Sequence, residues 1–182
     1  MIELIHTKSH LVFGCGNPLL GDDGFGPAVI DHLERCDRLP AHVGVMDVGT
    51  AIRDFLFDIL LAERKPEQII VVDAADKAGH HPGDLYELPV TEIDVQKTHD
   101  FSLHQFPTTN MLHELQAATE IEVRILVVQV ACIPDVVAPG LSPAVQAAVP
   151  AACERIAAMV ETGPQAVVPG RNTDNEMLRP AP

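Results

Sequence analysis

Leu11-Val12-Phe13-Gly14-Cys15-Gly16-Asn17-Pro18-Leu19-Leu20-Gly21-Asp22-Asp23-Gly24-Phe25-Gly26 runs an apolar segment into a glycine-rich turn that carries two adjacent carboxylates. Glycine tolerates positive φ and close backbone approach, so such a turn can hold Asp22 and Asp23 at a strand end beside a cleft. Beyond it, Phe25, Val29, Leu33 and Cys36 recur at helical spacing, which makes the segment a strand, a turn and a helix in succession. A dinucleotide fingerprint would need a third glycine at position 19, where Leu19 stands. Two carboxylates at the start of a helix also oppose a phosphate, and suit a cation or a capping role for Asp22 or Asp23.

The same alternation continues along the chain. Val43 to Val48 reads as a second strand and Ile52 to Leu61 as a second helix. Gln68-Ile69-Ile70-Val71-Val72 is a β-branched run ending at Asp73, the pattern of a strand covered on both faces. Gly83 to Val90 reads as an edge strand, Thr108 to Thr119 as a helix and Arg124 to Val130 as another buried strand. The alanine-rich segment from Pro143 to Val160 is a closing helix, with a kink expected at Pro150. The expectation is a single-domain, three-layer α/β fold with a mostly parallel twisted sheet flanked by helices, spanning residues 1–162. Residues 163–182, rich in proline, glycine and polar side chains, read as a flexible tail.

Composition narrows the company this fold can keep. A formal charge of −14 disfavours a nucleic-acid partner. Cys15, Cys36, Cys132 and Cys153 are scattered and never form C-x-x-C, so neither a zinc knuckle nor a disulfide framework is indicated. With no basic segment leading a long apolar run, and no apolar stretch of spanning length, the expectation is a cytoplasmic protein with no membrane insertion.

In open α/β sheets ligands gather outside the carboxyl ends of the strands, and both Asp23 and Asp73 fall at such ends. An ionised Asp73 after five residues that want burial calls for a cation or several hydrogen-bond donors, although a turn or cap would also use it. Of nine histidines, His6, His10, His32, His42 and His113 read as ordinary, and His80-His81 as a solvated Gly-Pro turn. His104, in Phe101-Ser102-Leu103-His104-Gln105-Phe106, sits between apolar anchors just before a helix and can be held inward. By itself it reads as a satisfied, semi-buried histidine. Ser102 and Ser142 lack the strand-turn-helix context of a nucleophilic serine, and Cys15 stands in an apolar setting without an activating neighbour.

Taken together, Gly14-x-Gly16-Asn17-x-x-Leu20-x-Asp22-Asp23-Gly24-x-Gly26, Val72-Asp73-Ala74 and His104-Gln105 resemble the three signature blocks of the hydrogenase maturation endopeptidases, a resemblance extending from about Leu11 to Met159. It implies that Asp23, Asp73 and His104 are both the metal ligands and the catalytic residues. Many members carry glutamate where Asp23 stands, which leaves Asp22 as a substitute ligand. The implied activity is removal of a C-terminal extension from the precursor of a nickel–iron hydrogenase large subunit. The implied metal is nickel, supplied by the precursor and not retained in the free enzyme. Gly24-Phe25-Gly26-Pro27 further resembles the branch serving archaeal coenzyme F420-reducing hydrogenases. A non-catalytic nickel-binding accessory protein for hydrogenase assembly would use the same three ligands.

Overall fold

A computed structural model describes residues 2–36, 39–90 and 106–162. Five strands form one sheet in the order β2-β1-β3-β5-β4. They are β1 (His10–Cys15), β2 (Val43–Gly49), β3 (Gln68–Ala75), β4 (Leu85–Leu88) and β5 (Glu122–Gln129). The helices are α1 (Ile2–Thr7), α2 (Phe25–Cys36), α3 (Ile52–Leu61), α4 (Phe106–Ala118) and α5 (Pro143–Thr162), with a 3-10 turn at Gly21–Gly24. β1 pairs in parallel with β2 and β3, β3 pairs in parallel with β5, and β4 closes the edge antiparallel to β5. The expected mostly parallel sheet is therefore present. The short helix α1 carries no signal that the sequence reading used.

Side chains on a strand alternate between faces, and here each face has its own core. Leu11, Phe13 and Cys15 of β1 and Ile69, Val71 and Ala75 of β3 join Leu56 and Ile59 of α3 and Leu112 and Leu115 of α4. Val12, Ile70, Val72 and Ala74 join Phe25, Val29 and Ile30 of α2 and Val149, Ala152 and Ile156 of α5. All eight residues of β3 are buried. Each large apolar side chain so buried contributes about 1.5–3 kcal/mol, which explains why β-branched residues fill this central strand. By the same alternation Asp73 occupies the face of Cys15, Val71 and α4.

Several details differ from expectation. β3 continues through Asp73 to Ala75, so Asp73 lies inside the strand, in register with Val127, instead of just beyond its end. The edge strand is shorter than the expected 83–90, because Gly83 and Asp84 form the turn that feeds it through the bonds Gly83 N to Gln129 O and Asp84 N to His81 O. Pro150 sits within α5 on an exposed position. The Gln146 carbonyl, which loses its helical donor there, can turn to water, so the helix continues past the proline. The expected tail, 163–182, lies outside the described residues.

At the opposite, amino-terminal edge of the sheet, His10 is buried, bonded through Nδ1 to Ser9 Oγ at 2.9 Å and set edge-on against His42 at 4.9 Å. Burial pushes its imidazole below the usual histidine value, His42 pushes the same way, and Glu67 and Glu122 oppose. A group whose folded-state value is depressed contributes stability above its unfolded value of about 6.5 and loses it as pH falls through the folded value. Urea midpoints should therefore fall as pH drops below about 6.5, and His10→Gln should flatten that slope. An identical slope in the variant would assign the loss to other groups.

Candidate active site

The first turn is tight because glycine lets helix α2 begin against the sheet. A Cβ at Gly26 would stand 2.6 Å from Val72 O and collide with the backbone of Cys15. Gly16, at φ +118°, brings its backbone against Asp23 O. Asn17 N donates to Asp23 Oδ2 at 2.8 Å, and the Asp23 side chain is fully buried. Asp73 is buried as well, and its Oδ1 accepts the Ala74 N–H at 2.8 Å.

The Cys15 thiol reports how these acids converge. Burial pushes it well above the usual thiol range, and Asp73, Asp47 and Asp23 all push it the same way. Carboxylates from β3, β2 and the first turn thus act on one buried sulfur at the carboxyl edge of the sheet. Asp23 and Asp73 are more deeply enclosed than the expected cleft mouth, because the backbone of α2 packs directly onto Cys15 and Val72. The exposed carboxylate of the three is Asp47, which sequence reasoning missed. Its signal was Asp47-Val48-Gly49, an Asx turn at a strand end, seen as Gly49 N donating to Asp47 Oδ1 at 2.9 Å.

Asp22 departs from both roles suggested for it. The turn begins at Leu20 without a side-chain cap. Asp22 instead reaches the β5–α5 loop, accepting Ser142 N on Oδ1 at 2.6 Å, and Ala131 N, Cys132 N and Ser142 Oγ on Oδ2 at 2.8, 3.2 and 3.0 Å. Both its oxygens are occupied by donors in a buried setting, so it is a tie between two loops, neither a helix cap nor a substitute metal ligand. Its sequence neighbour Asp23 faces the other way because successive residues of a tight turn diverge.

His104 and Ser102 lie outside the described residues. Among the described residues, no group of three or more His, Cys, Asp or Glu side chains is arranged to hold a metal ion. Asp23 and Asp73 are both buried, and α4, which begins two positions after His104, packs on the face that Asp73 occupies. His80 stacks on Tyr86 at 4.0 Å and His81 stands beside Asp84, both in a solvent-facing turn.

No thiol here resembles an activated nucleophile. Cys15 and Cys153 are buried, the latter pushed up to about 11 by burial first, whereas Cys36 and Cys132 are exposed. A disulfide-exchange reagent should consume two thiols rapidly in the native protein and all four in urea. Fast native labelling of Cys15, read by peptide mass, would contradict this enclosure.

A sheet of this order, with acids at its carboxyl edge, defines an open α/β protein with an acidic site, a class that many activities share. The family model described as HycI, hydrogenase maturation protease, matches residues 27–159. The chain is 40% identical to coenzyme F420 hydrogenase subunit delta of Methanothermobacter thermautotrophicus over 154 residues, 80% of this chain and 90% of that one. It is 33% identical to the hydrogenase 2 maturation protease of Escherichia coli over 160 residues, 86% of this chain and 94% of that one. The solved hydrogenase maturating endopeptidase HybD of E. coli superposes with a TM-score of 0.63 at 31% identity, covering 85% of this chain and 93% of that one. This chain belongs to the hydrogenase maturation protease family, and it is an endopeptidase. Among the described residues, no helix is long and apolar enough to cross a membrane.

Proposed function

We propose that this endopeptidase removes the C-terminal extension from the nickel-loaded precursor of a nickel–iron hydrogenase large subunit, with Asp23, Asp73 and His104 as its metal-binding and catalytic residues. The observation that carries the reading is two buried carboxylates, Asp23 in the first turn and Asp73 in β3, both toward the carboxyl end of the sheet and each accepting a backbone N–H. Enclosed carboxylates favour a divalent cation, and two carboxylates with an imidazole suit nickel without any thiolate from the enzyme. The metal belongs to the substrate, where it marks a precursor ready for processing. Asp23 and Asp73 draw the loaded site to the sheet edge and so fix the scissile amide. Water then adds across the C–N bond, leaving a carboxylate on the large subunit and an amine on the released peptide.

The likeness to the M. thermautotrophicus F420 hydrogenase subunit supports an F420-reducing hydrogenase as the substrate's parent enzyme. The formal charge of −14 supports a protein without a nucleic-acid partner, and four free cysteines support a reducing, cytoplasmic setting. The test is incubation with nickel-loaded and nickel-free precursor, read by the mass of the large subunit. A shortened C-terminus in the loaded sample alone supports the reading. Equal cleavage of both forms overturns the nickel requirement, and no cleavage of either overturns the substrate.

A further inference from the structure

Water adding to an amide carbonyl leaves negative charge on the carbonyl oxygen, and the carboxylates of Asp23 and Asp73 repel that charge. A hydrolytic site built on acids calls for a hydrogen-bond donor at the same edge. In the first turn that donor is Asn17. Its backbone N–H bonds Asp23 Oδ2 at 2.8 Å, so the residue stands in contact with the acid. Its side-chain Oδ1 accepts the Leu19 N–H at 3.0 Å, closing an Asx turn. That bond assigns the amide, because the oxygen must face the N–H and Nδ2, with its two donors, then faces away from the turn. Cys15 and Gly16 are buried, Asn17 is half-buried and Pro18 is exposed, so the chain passes from the enclosed acid to solvent at this residue.

The backbone around Asn17 is braced. Gly16 N donates to Gly49 O at 3.0 Å and Leu20 N to Asn17 O at 3.0 Å, and Gly24 lies so close that a Cβ on it would stand 2.9 Å from Pro18 Cα. A donor held in this way needs no reorganisation as charge develops, which is the property of an oxyanion hole. We propose that Asn17 is a further catalytic residue, its Nδ2 donating to the scissile carbonyl oxygen. This rests on the substrate assignment above and on Asp23 as a site residue, and adds the group that carries the oxyanion. The water oxygen bonds to the carbonyl carbon as the C=O electron pair moves onto oxygen, where the Asn17 N–H receives it. The C–N bond then breaks with its electrons on nitrogen, which takes a proton from that water, and the carbonyl re-forms as a carboxylic acid that ionises. Asn17 itself gives up no proton.

The experiment is steady-state processing of nickel-loaded precursor by the full chain and by two variants, with urea midpoints taken on the same preparations. Asn17→Asp keeps the shape and an oxygen for the Leu19 N–H, and replaces the donor with a second acceptor. Asn17→Ser is neutral, and its hydroxyl can still accept the Leu19 N–H but stops short of the place of Nδ2. The expected result is a kcat lowered by about 100-fold or more in both, the loss typical of one oxyanion donor. KM should stay within about threefold, because the interaction forms only in the transition state, and urea midpoints should match the parent. Full activity of Asn17→Asp overturns the proposal, since a carboxylate can hold the turn and cannot donate. Full activity of Asn17→Ser with loss in Asn17→Asp also overturns it, because the loss then comes from added charge. A kcat that falls in step with the urea midpoint in both variants makes Asn17 a turn former and overturns it too. In each of these cases cleavage by the parent leaves the substrate assignment standing. Failure of the parent to process any precursor removes that assignment and this proposal with it.

Discussion

Asp73→Asn should abolish precursor processing while the protein stays folded. The substitution keeps shape, volume and an oxygen able to accept the Ala74 N–H, now 2.8 Å from Asp73 Oδ1. It removes the negative charge that favours a cation at this buried position of β3. Replacing residues that merely support metal ligands costs about 10–100-fold, so loss of a direct ligand should exceed about 100-fold in processing rate. Stability should change by less than about 1 kcal/mol or rise, because an enclosed charge has been removed. Processing rate and urea midpoint measured on one preparation decide the matter. Unaltered cleavage would remove Asp73 from the site.

Gly26→Ala should unfold the site from beneath. Alanine is the better helix former by about 1 kcal/mol, so propensity alone would have the variant stabilised. Packing opposes this, since the new Cβ would stand 2.6 Å from Val72 O and against the Cys15 backbone, and neither is a flexible side chain that can move aside. Helix α2 would have to lift from β1 and β3, at a cost of about 3 kcal/mol, the upper part of the overpacking range. In a chain of this size that corresponds to a melting temperature lower by roughly 6–12 °C. Processing should fall with it, because Asp23 is carried by the turn that leads into α2. A variant as stable as the parent would show that the helix start can relax and that close approach is not what holds Asp23.

Much of this fold was legible in the chain. The run Gln68 to Val72 has the pattern of a strand covered on both faces, and the spacing of Phe25, Val29 and Leu33 that of a helix with one buried side, and both elements are present. Their alternation favours a mostly parallel sheet, with ligand-facing residues at its carboxyl edge. The three blocks that resemble the maturation endopeptidases pointed to the family that the comparisons support. Other features were not legible. Helix α1 is six residues long, too short for periodicity to reveal, and is held by packing of Ile5 into the core. Asp47 gave only an Asx-turn pattern, common in turns of no functional interest.

What the sequence by itself determined was therefore the layered sheet and the identity of its acids, because hydrophobic period and glycine placement act over a few residues. What only the tertiary structure decided was which acid does what. Asp22 and Asp23 are neighbours of identical chemistry, and no local rule separates them. Asp22 meets the backbone of Ala131, Cys132 and Ser142, more than a hundred positions away, while Asp23 accepts the Asn17 N–H within its own turn. Partners that distant are set by how β5 and α5 pack against the first turn, and the direction of a carboxylate follows from the donors the packing brings to it.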